Sequence, residues 1–455
     1  MTSMAIALLA GLWMQPQDQE RARELEKQQW LQERIAQPET EGESFFDYGL
    51  WIRPQYFVWE DGAGQSRSQA SYDARPWIDF RSGPHTVYAR LVGRYEDWAT
   101  GDSTDDDDEE SDFDADILFW QLDIGEKTAL GATAPVGYLR LGRIYTVLGS
   151  GLAFNGRGDG LLTGWNLGAI RVTAFGYLTP ENTEDLDQSR PNPDETKRFF
   201  YGVLIEGGFS SAHVPYVFGV LQRDDNDEDP NDPAQDFDWD SEYWGVGIRG
   251  VLAQGFTYLV EGILNTGERM PDAPGAPAEN IDAWAAVIEV GCELGGESGL
   301  RSEAAFYIAS GDRDRAFIAN TILGNLPGTD DKAFTAFGFI PAGLVLNPLI
   351  ANLKVHKLGV YCKPIKPEKL FDAGELDLGM ELFYYSKRSD GPISDPFFDL
   401  TLRRIGWEAD VVVNWTLASD LALTVRAGVF DPVSGGAALV AETRHFALIS
   451  LIYSY

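Results

Sequence analysis

The sequence HFALISLIYSY, residues 445–455, alternates between two sets of side chains. One set is Ala447, Ile449, Leu451, Tyr453 and Tyr455, and the other is mixed rather than polar. An exposed edge strand of this composition would promote aggregation in water. The closing strand of a membrane barrel has no free edge, and lipid covers its apolar face. We therefore expect this segment to close a β-barrel.

The same alternation recurs along the chain from Phe46 onward. The clearest case is RIGWEADVVVNWTL, residues 404–417, in which Glu408 and Asp410 share one face. The opposite face is expected to carry Ile405, Trp407, Ala409, Val411, Val413 and Trp415. An amphipathic helix would repeat its apolar residues every 3.6 positions, whereas a strand repeats them every second position. These segments are therefore predicted to be strands.

The connections between predicted strands alternate between short and long. SGP (82–84) and ASD (418–420) are short, whereas 100–112 and 312–352 are long. Outer-membrane barrels have short periplasmic turns and long external loops. Strict alternation requires one more strand at 158–166 and gives about 18 strands, an even number as such barrels require. The predicted fold is an all-β, antiparallel transmembrane barrel closed by its C-terminal strand.

A soluble β-sandwich is the structural alternative, since its strands also alternate. This number of strands would need at least two sandwich domains. No linker is visible between Phe46 and Tyr455, so the barrel is favoured.

Three regions are expected along the chain. Residues 1–16 contain a short apolar stretch and are predicted to be a signal peptide, although no basic residue precedes the stretch. Residues 17–45 are predicted to be a charged periplasmic N-terminal extension, and 46–455 the barrel. The expected location is the bacterial outer membrane.

Composition limits the partners that the protein can have. The net charge is −35, which argues against nucleic acid, because phosphate binding requires a basic surface. The 13 Trp, 18 Tyr and 25 Phe are many for so acidic a chain and suit the interfaces of a lipid bilayer. Cys292 and Cys362 fall on lipid-facing positions of non-adjacent predicted strands, so we expect two free, buried thiols.

Catalytic and metal motifs are weak in this sequence. The four histidines fall at turns or strand ends without a serine motif beside them, so we expect neither an enzyme nor a cofactor. Asp225, Asp227 and Asp229 resemble the start of a calcium loop. That loop lacks the glycine and the final glutamate that calcium loops need, so a solvated acidic loop is the favoured interpretation.

The inward positions of the predicted strands sort by charge. Early strands supply arginines and later strands mostly carboxylates, which places a basic wall opposite an acidic wall. The predicted pore-lining residues are Arg53, Arg90, Arg94, Arg140, Arg171, Arg249, Glu289, Glu303, Asp377, Glu381, Glu408, Asp410 and Arg426. Opposed walls give a transverse field that orients charged solutes. The alternative is that opposite charges pair across neighbouring strands and only solvate the lumen.

Three stretches resemble the alginate-export porin family: YLRLGRIYTVLGSGLAFNGRGDGL (138–161), AAFYIASGDRDRAF (304–317) and residues 404–432. The resemblance implies an 18-stranded monomeric barrel with an arginine-rich constriction for an anionic polyuronate and a long gating loop. It also implies that Arg143, in the L-G-R motif, lines the pore. Strand alternation places Arg143 on the outer face unless a bulge re-aims it. The strongly acidic outer loops depart from a pattern suited to a polyanion.

The sequence thus predicts an outer-membrane porin that passes hydrophilic solutes, charged ones among them, or oligosaccharides by diffusion. Residues 312–352 form a long connection with an apolar stretch that contains Pro341 and Pro348. We expect this connection to fold inward as a plug or gate. The alternative is a barrel sheath around a periplasmic partner such as a multihaem cytochrome. A channel needs a constriction, whereas a sheath needs an open lumen.

Overall fold

The computed structural model describes most of the chain from residue 44 onward. The described residues are 44–60, 65–100, 109–127, 133–180, 183, 196–208, 212–225, 239–253, 255–270, 277–295, 299–315, 325–365, 374–395, 397–398, 401–439 and 442–455. The predicted signal peptide and nearly all of the predicted extension lie outside them. Within the described ranges, no helix has the length and hydropathy needed to cross a membrane.

Eighteen strands make up the barrel. The first nine are β1 (Phe45–Glu60), β2 (Ser66–Ser82), β3 (His85–Thr100), β4 (Glu109–Lys127), β5 (Thr133–Leu148), β6 (Phe154–Leu167), β7 (Ile170–Leu178), β8 (Arg198–Gly207) and β9 (His213–Asp224). The others are β10 (Trp239–Ala253), β11 (Phe256–Arg269), β12 (Glu279–Gly295), β13 (Leu300–Ala309), β14 (Leu353–Ile365), β15 (Leu376–Lys387), β16 (Arg404–Ala418), β17 (Leu421–Pro432) and β18 (Arg444–Ser454).

Each strand pairs antiparallel with its sequence neighbours, and β1 also pairs with β18, so the sheet is closed. The Leu50 amide donates to the Tyr455 carbonyl at 3.1 Å, and the Tyr455 amide donates back to Leu50 at 2.9 Å. The last residues therefore seal the barrel, as the sequence predicts. The strand required at 158–166 is also present, within β6.

The two faces of the wall differ as expected for a barrel in lipid. On β1, Ile52 and Tyr56 are 37% and 42% exposed, whereas the intervening Arg53 is buried. Apolar side chains that are exposed along a whole face are stable only against lipid. Exposed aromatic residues lie on this outer face near both ends of the strands: Phe46, Tyr48, Tyr56, Phe80, Tyr72, Tyr201, Trp244, Tyr384, Trp407 and Tyr453.

One predicted face assignment is wrong. Ile405 was expected on the outer face with Trp407, but its side chain is fully buried, while Trp407 is 55% exposed. The register of β15 against β16 shifts between Tyr385 and Ser386, which face Gly406 and Arg404. The extra residue in this bulge is Ile405, and a bulge reverses the side-chain alternation beyond it.

Cys292 and Cys362 lie on β12 and β14, which are separated by β13, and neither forms a disulfide. The prediction of two free thiols is confirmed. Both side chains are partly exposed on the wall.

Candidate solute pathway through the barrel

A barrel of this strand number is wide enough to hold an aqueous channel. In this protein, part of the connection between β13 and β14 occupies the lumen. Its described residues 325–352, here called the inward segment, bury Phe334, Phe339, Val345 and Leu346 to 6% exposure or less. The predicted inward folding of this region is confirmed. Its apolar side chains pack with inward-facing apolar residues of the wall, among them Ile144, Phe154 and Phe200, in one hydrophobic core.

One side of the inward segment is fixed to the β5–β6 wall. The Phe339 amide donates to the Gly151 carbonyl at 2.9 Å, and the Asn155 amide donates to the Phe337 carbonyl at 3.4 Å. The Phe337 ring packs edge-on against Phe200 on β8, with ring centroids 4.9 Å apart. These contacts combine backbone pairing with aromatic packing, so this side is anchored at several points.

The other side is held by two carboxylates of β16, Glu408 and Asp410, here called the carboxylate clamp. Glu408 Oε1 accepts hydrogen bonds from the amides of Leu344 and Val345, each at 2.6 Å, and Glu408 Oε2 accepts from Leu346 at 3.0 Å. Asp410 Oδ2 accepts from the Leu344 amide at 3.0 Å. Three successive amides pointing at one anion form the kind of concave site that binds negative charge.

A glycine permits this approach. Gly343 has φ = +111°, a backbone conformation that other residues rarely adopt. A side chain there would also collide with Glu408 and Tyr385. Tyr385 Oη donates to the Ala342 carbonyl at 2.6 Å, which fixes the turn from its other side.

The two anchors lie on nearly opposite sides of the ring, on β5–β6 and on β16. Phe337 and Leu344 are seven residues apart, which an extended chain spans in at most roughly 25 Å. The inward segment therefore crosses the lumen and narrows it.

The base of the inward segment is tied by ion pairs to β11 and to the start of the β13–β14 connection. Asp331 Oδ2 lies 3.1 Å from Arg269 Nη1 and 2.9 Å from Arg315 Nη1. At the far end, Asn352 Nδ2 donates to the carbonyls of Gly391 and Pro392. Both ends of the segment are thus tied to the surrounding structure.

A second, shorter turn also leans into the lumen, between β5 and β6. Glu261 of β11 accepts from the Ser150 amide at 2.8 Å, from the Ser150 hydroxyl, and from Tyr216 Oη at 2.7 Å. This turn carries the Gly151 carbonyl that receives the inward segment. The two inward pieces therefore brace each other.

The basic wall is a ladder of paired charges. Arg53 and Arg94 contact Asp73 at 2.9 and 3.2 Å. Arg90 contacts Asp116 at 2.7 Å. Asp116 also binds Arg75 at 2.7 Å and Arg157 at 3.0 Å.

Asp73, Arg75 and Asp116 were missing from the sequence-predicted set. The alternation of β2 places Asp73 and Arg75 on the inner face with Trp77, so the sequence pattern could have identified both residues as inward-facing. Asp116 lies at a register shift between β3 and β4, where Arg90 faces Ile117 and Leu91 faces Ala115. A bulge of this kind leaves no mark in the alternation of a single strand.

The other predicted arginines are separate from this ladder. Arg140 donates to Gln121 Oε1 at 3.0 Å, and its guanidinium lies 4.2 Å from the Phe119 ring centroid. Arg171 is exposed beside the β6–β7 turn. Arg249 pairs with Glu206, and Arg426 is half-buried on β17.

The predicted acidic residues gather between β12 and β15. Glu289 accepts from Tyr307 Oη at 3.0 Å. Lys357 Nζ lies 2.8 Å from Glu381 and 3.8 Å from Glu303. Asp377 is paired with Arg301 at 2.8 Å. A cavity of about 710 Å³ is lined by residues of this wall and of the inward segment, among them Arg249, Glu289, Glu303, Tyr307, Pro341 and Lys357.

Arg143 lies on the outer face of the wall. It stands opposite Leu118 on β4, which is 48% exposed, and opposite Asp159 on β6. Its guanidinium pairs with Asp159 at 2.8 Å and with Asp114 at 3.2 Å. The register of β4, β5 and β6 is regular at Arg143, so no bulge turns this side chain into the lumen. Its outward position is the one that strand alternation predicts.

The weak calcium candidates are only partly described. Asp225 follows β9, and its amide donates to the Lys197 carbonyl at 2.9 Å. Asp227 and Asp229 lie outside the described residues. Within the described part of the chain, no three histidine, cysteine, aspartate or glutamate side chains form a group that could hold a metal ion.

A closed barrel with an apolar outer face, an inner wall that carries charged side chains and an inward constriction defines an outer-membrane channel of the porin type. The alginate export family model matches residues 91–447, and the chain belongs to this family. No curated protein matches the sequence.

Solved porins share the fold. Among similar structures are three Pseudomonas aeruginosa proteins. OprD has a TM-score of 0.54 and 10% sequence identity, and the match covers 91% of this chain and 97% of that chain. OccK2 (OpdF) has a TM-score of 0.55 and 12% identity, and OpdK with vanillate has 0.55 and 11%; each match covers 90% of this chain and 98% of that chain. Family and fold together make this protein a bacterial outer-membrane channel for solute passage. The sheath is not favoured, because the inward segment occupies the space that an enclosed partner would need.

Proposed function

We propose that the protein passes hydrophilic, carboxylate-bearing solutes or oligosaccharides by diffusion, with the inward segment as its constriction and gate. The observation that carries this proposal is the position of that segment, which crosses the lumen between the basic and acidic walls. A solute entering the barrel must pass beside this crossing and is exposed to both walls. We further propose that the predicted pore-lining residues other than Arg143 contact the solute.

We infer that charge pairing does not fully cancel the field between the walls. Lys357 lies within 4 Å of both Glu303 and Glu381, whereas Glu289 accepts a hydrogen bond from the neutral Tyr307 hydroxyl. On the other wall, Arg140 is bonded to the neutral amide of Gln121. Unbalanced charges in a confined, low-dielectric pore attract solutes of opposite charge.

The proposed solute carries both carboxylates and hydroxyl groups. Arginine binds carboxylates through paired hydrogen bonds, which suits the Arg140 side of the lumen. The carboxylates and tyrosines of the opposite wall can accept hydrogen bonds from sugar hydroxyls or attract an amine. The family name refers to alginate, and the similar OpdK structure contains vanillate. Both molecules carry a carboxylate.

The remaining predictions stay proposals. We propose that the protein is a channel and not an enzyme, that residues 1–16 direct export, and that 17–45 form a periplasmic extension. Mass spectrometry of the mature N-terminus tests the first boundary, since a chain beginning before residue 17 would contradict it. A periplasmic or cytochrome partner remains a prediction from the sequence that no described contact supports.

Neutralising each wall should shift ion selectivity in opposite directions. We expect Glu289→Gln/Glu303→Gln to move the reversal potential in a salt gradient toward anion preference, and Arg140→Gln to move it toward cation preference. The change in permeability ratio should be about two-fold or more, because fixed charges at a narrow site set local ion concentrations. Planar-bilayer recordings measure both shifts. Equal reversal potentials in all three proteins would show that these residues do not face the conducting path.

Solute preference can be tested in liposomes. Uptake of short uronate oligosaccharides is compared with that of neutral oligosaccharides of equal length. We expect Arg140→Gln to reduce uronate uptake selectively and to leave neutral uptake unchanged. A parallel loss of both would indicate a change in pore size, and a native channel that prefers the neutral series would contradict the proposed solute class.

A further inference from the structure

Three basic residues gather on the outer surface at the external ends of β14, β15 and β16. Lys354 faces Ser386 in the β14–β15 register, and Ser386 faces Arg404 in the β15–β16 register. Neighbouring strands are about 4.8 Å apart, so the Cα atoms of Lys354 and Arg404 are about 10 Å apart. The Arg388 amide donates to the Asn352 carbonyl at 2.9 Å, which places Arg388 one step further along the same edge.

These side chains belong to the lipid-facing side of the wall. Lys354 lies between Leu353 and Val355, which are fully buried on the inner side. The Arg388 guanidinium lies 5.0 Å from the ring centroid of Trp284, whose neighbours in sequence, Ala283 and Ala285, are buried inward. Arg404 is exposed. We call Lys354, Arg388 and Arg404 the outer basic patch.

The outer basic patch has no counter-charge within the described chain. None of its three members forms an ion pair with another described residue. The acidic residues nearby have other partners, since Asp390 pairs with Arg403 at 2.8 Å and Asp431 accepts from Thr443 at 3.1 Å. These three cations, which have no ion-pair partner among the described residues, contrast with the net charge of −35 of the whole chain.

The surface below the outer basic patch is suited to a lipid. Tyr384 and Trp407 come next toward the membrane and are 41% and 55% exposed, as is typical of the aromatic belt at the bilayer interface. Leu358, Met380 and Leu382 follow, also exposed. From the external end of the strands toward the middle of the membrane, the outer surface therefore presents cations, then aromatic rings, then aliphatic side chains. This order matches that of a membrane lipid, in which the phosphate is followed by the sugar or glycerol and then by the acyl chains.

We propose that the outer basic patch binds the phosphorylated headgroup of an outer-leaflet glycolipid of the lipid A type. Its acyl chains lie along the aliphatic surface of β14 and β15. Arginine and lysine bind phosphate by charge-assisted hydrogen bonds, and the rest of the acidic barrel repels anionic headgroups. Binding here is independent of the solute pathway, because the patch is on the opposite face of the wall.

Native mass spectrometry of the purified full-length protein, titrated with bisphosphorylated lipid A, tests this proposal. Lys354→Ala/Arg388→Ala is compared with Arg313→Ala/Lys332→Ala, which removes two exposed cations from the β13–β14 connection. Basic residues near an anionic lipid surface attract it, so removing two of them should weaken binding by the patch variant roughly ten-fold or more. The control variant should bind as the native protein does. The heat-dependent shift in electrophoretic mobility confirms that every variant is a folded barrel.

Two further ligands make the outcome decisive. Dephosphorylated lipid A should bind the native protein and the patch variant equally weakly, and added salt should weaken only the phosphate-dependent binding. Equal affinity of the native protein for phosphorylated and dephosphorylated lipid A would overturn the proposal. Equal loss in both double variants would also overturn it, and so would phosphatidylglycerol binding as tightly as lipid A.

Discussion

Replacing Glu408 with alanine is expected to widen the pore and to make its conductance fluctuate. Glu408 accepts hydrogen bonds from three successive amides of the inward segment. A hydrogen bond to a charged group contributes about 1.5–3 kcal/mol, so removing three weakens the anchor by about 4.5 kcal/mol or more. The segment should then leave the β16 wall for part of the time. Single-channel recordings should show a conductance that roughly doubles, with frequent transitions between levels.

Glu381→Gln is the matched control for this experiment. Glu381 is an inward carboxylate on the adjacent strand β15, but it contacts Lys357 and Tyr361 instead of the inward segment. We expect this variant to change ion selectivity while its current stays steady. If Glu408→Ala conducts with the native amplitude and noise, the inward segment does not limit the pore.

Replacing Asp116 with alanine is expected to produce the largest loss of stability. Its carboxylate is buried and contacts Arg75, Arg90 and Arg157. Removing the central anion leaves buried guanidinium groups close together, and breaking a buried ion pair in this way typically costs about 3–5 kcal/mol. Urea-induced unfolding in lipid vesicles, followed by tryptophan fluorescence, should show a clearly lower midpoint.

Asp79→Ala provides the comparison on β2. Asp79 pairs only with Arg81 among the described residues, and the Arg81 side chain is 25% exposed. A partly exposed pair contributes about 1 kcal/mol or less, so this variant should unfold close to the native midpoint. Equal destabilisation of the two variants would mean that the ladder around Asp116 has no special role.

Local pattern in the sequence was enough to predict the barrel. Every second residue of a strand points to the same face, so the series ending in Leu451, Tyr453 and Tyr455 defines a lipid-facing surface without knowledge of any partner strand. The lengths of the connections gave the topology, because turns and loops alternate between the two ends of an antiparallel barrel. Strict alternation even located β6 at a glycine-rich stretch that does not look like a strand.

The constriction and its charges depended on tertiary structure. The alternation pointed Glu408 and Asp410 inward, but it could not show that they would bind backbone amides of a segment more than sixty residues earlier. Bulges at Asp116 and Ile405 turned these side chains to the inner face of the wall. The sequence could not predict them, because a bulge depends on how two strands pair and not on either strand alone.

The sequence by itself therefore determined the closed barrel, its lipid-facing surface and its family, since each follows from a period of two residues or from local motifs. Only the tertiary structure decided which charges pair, where the lumen narrows and which cations on the outer rim have no ion-pair partner among the described residues. Those features arise from contacts between residues far apart in the chain, and their geometry is set by strand register and loop packing.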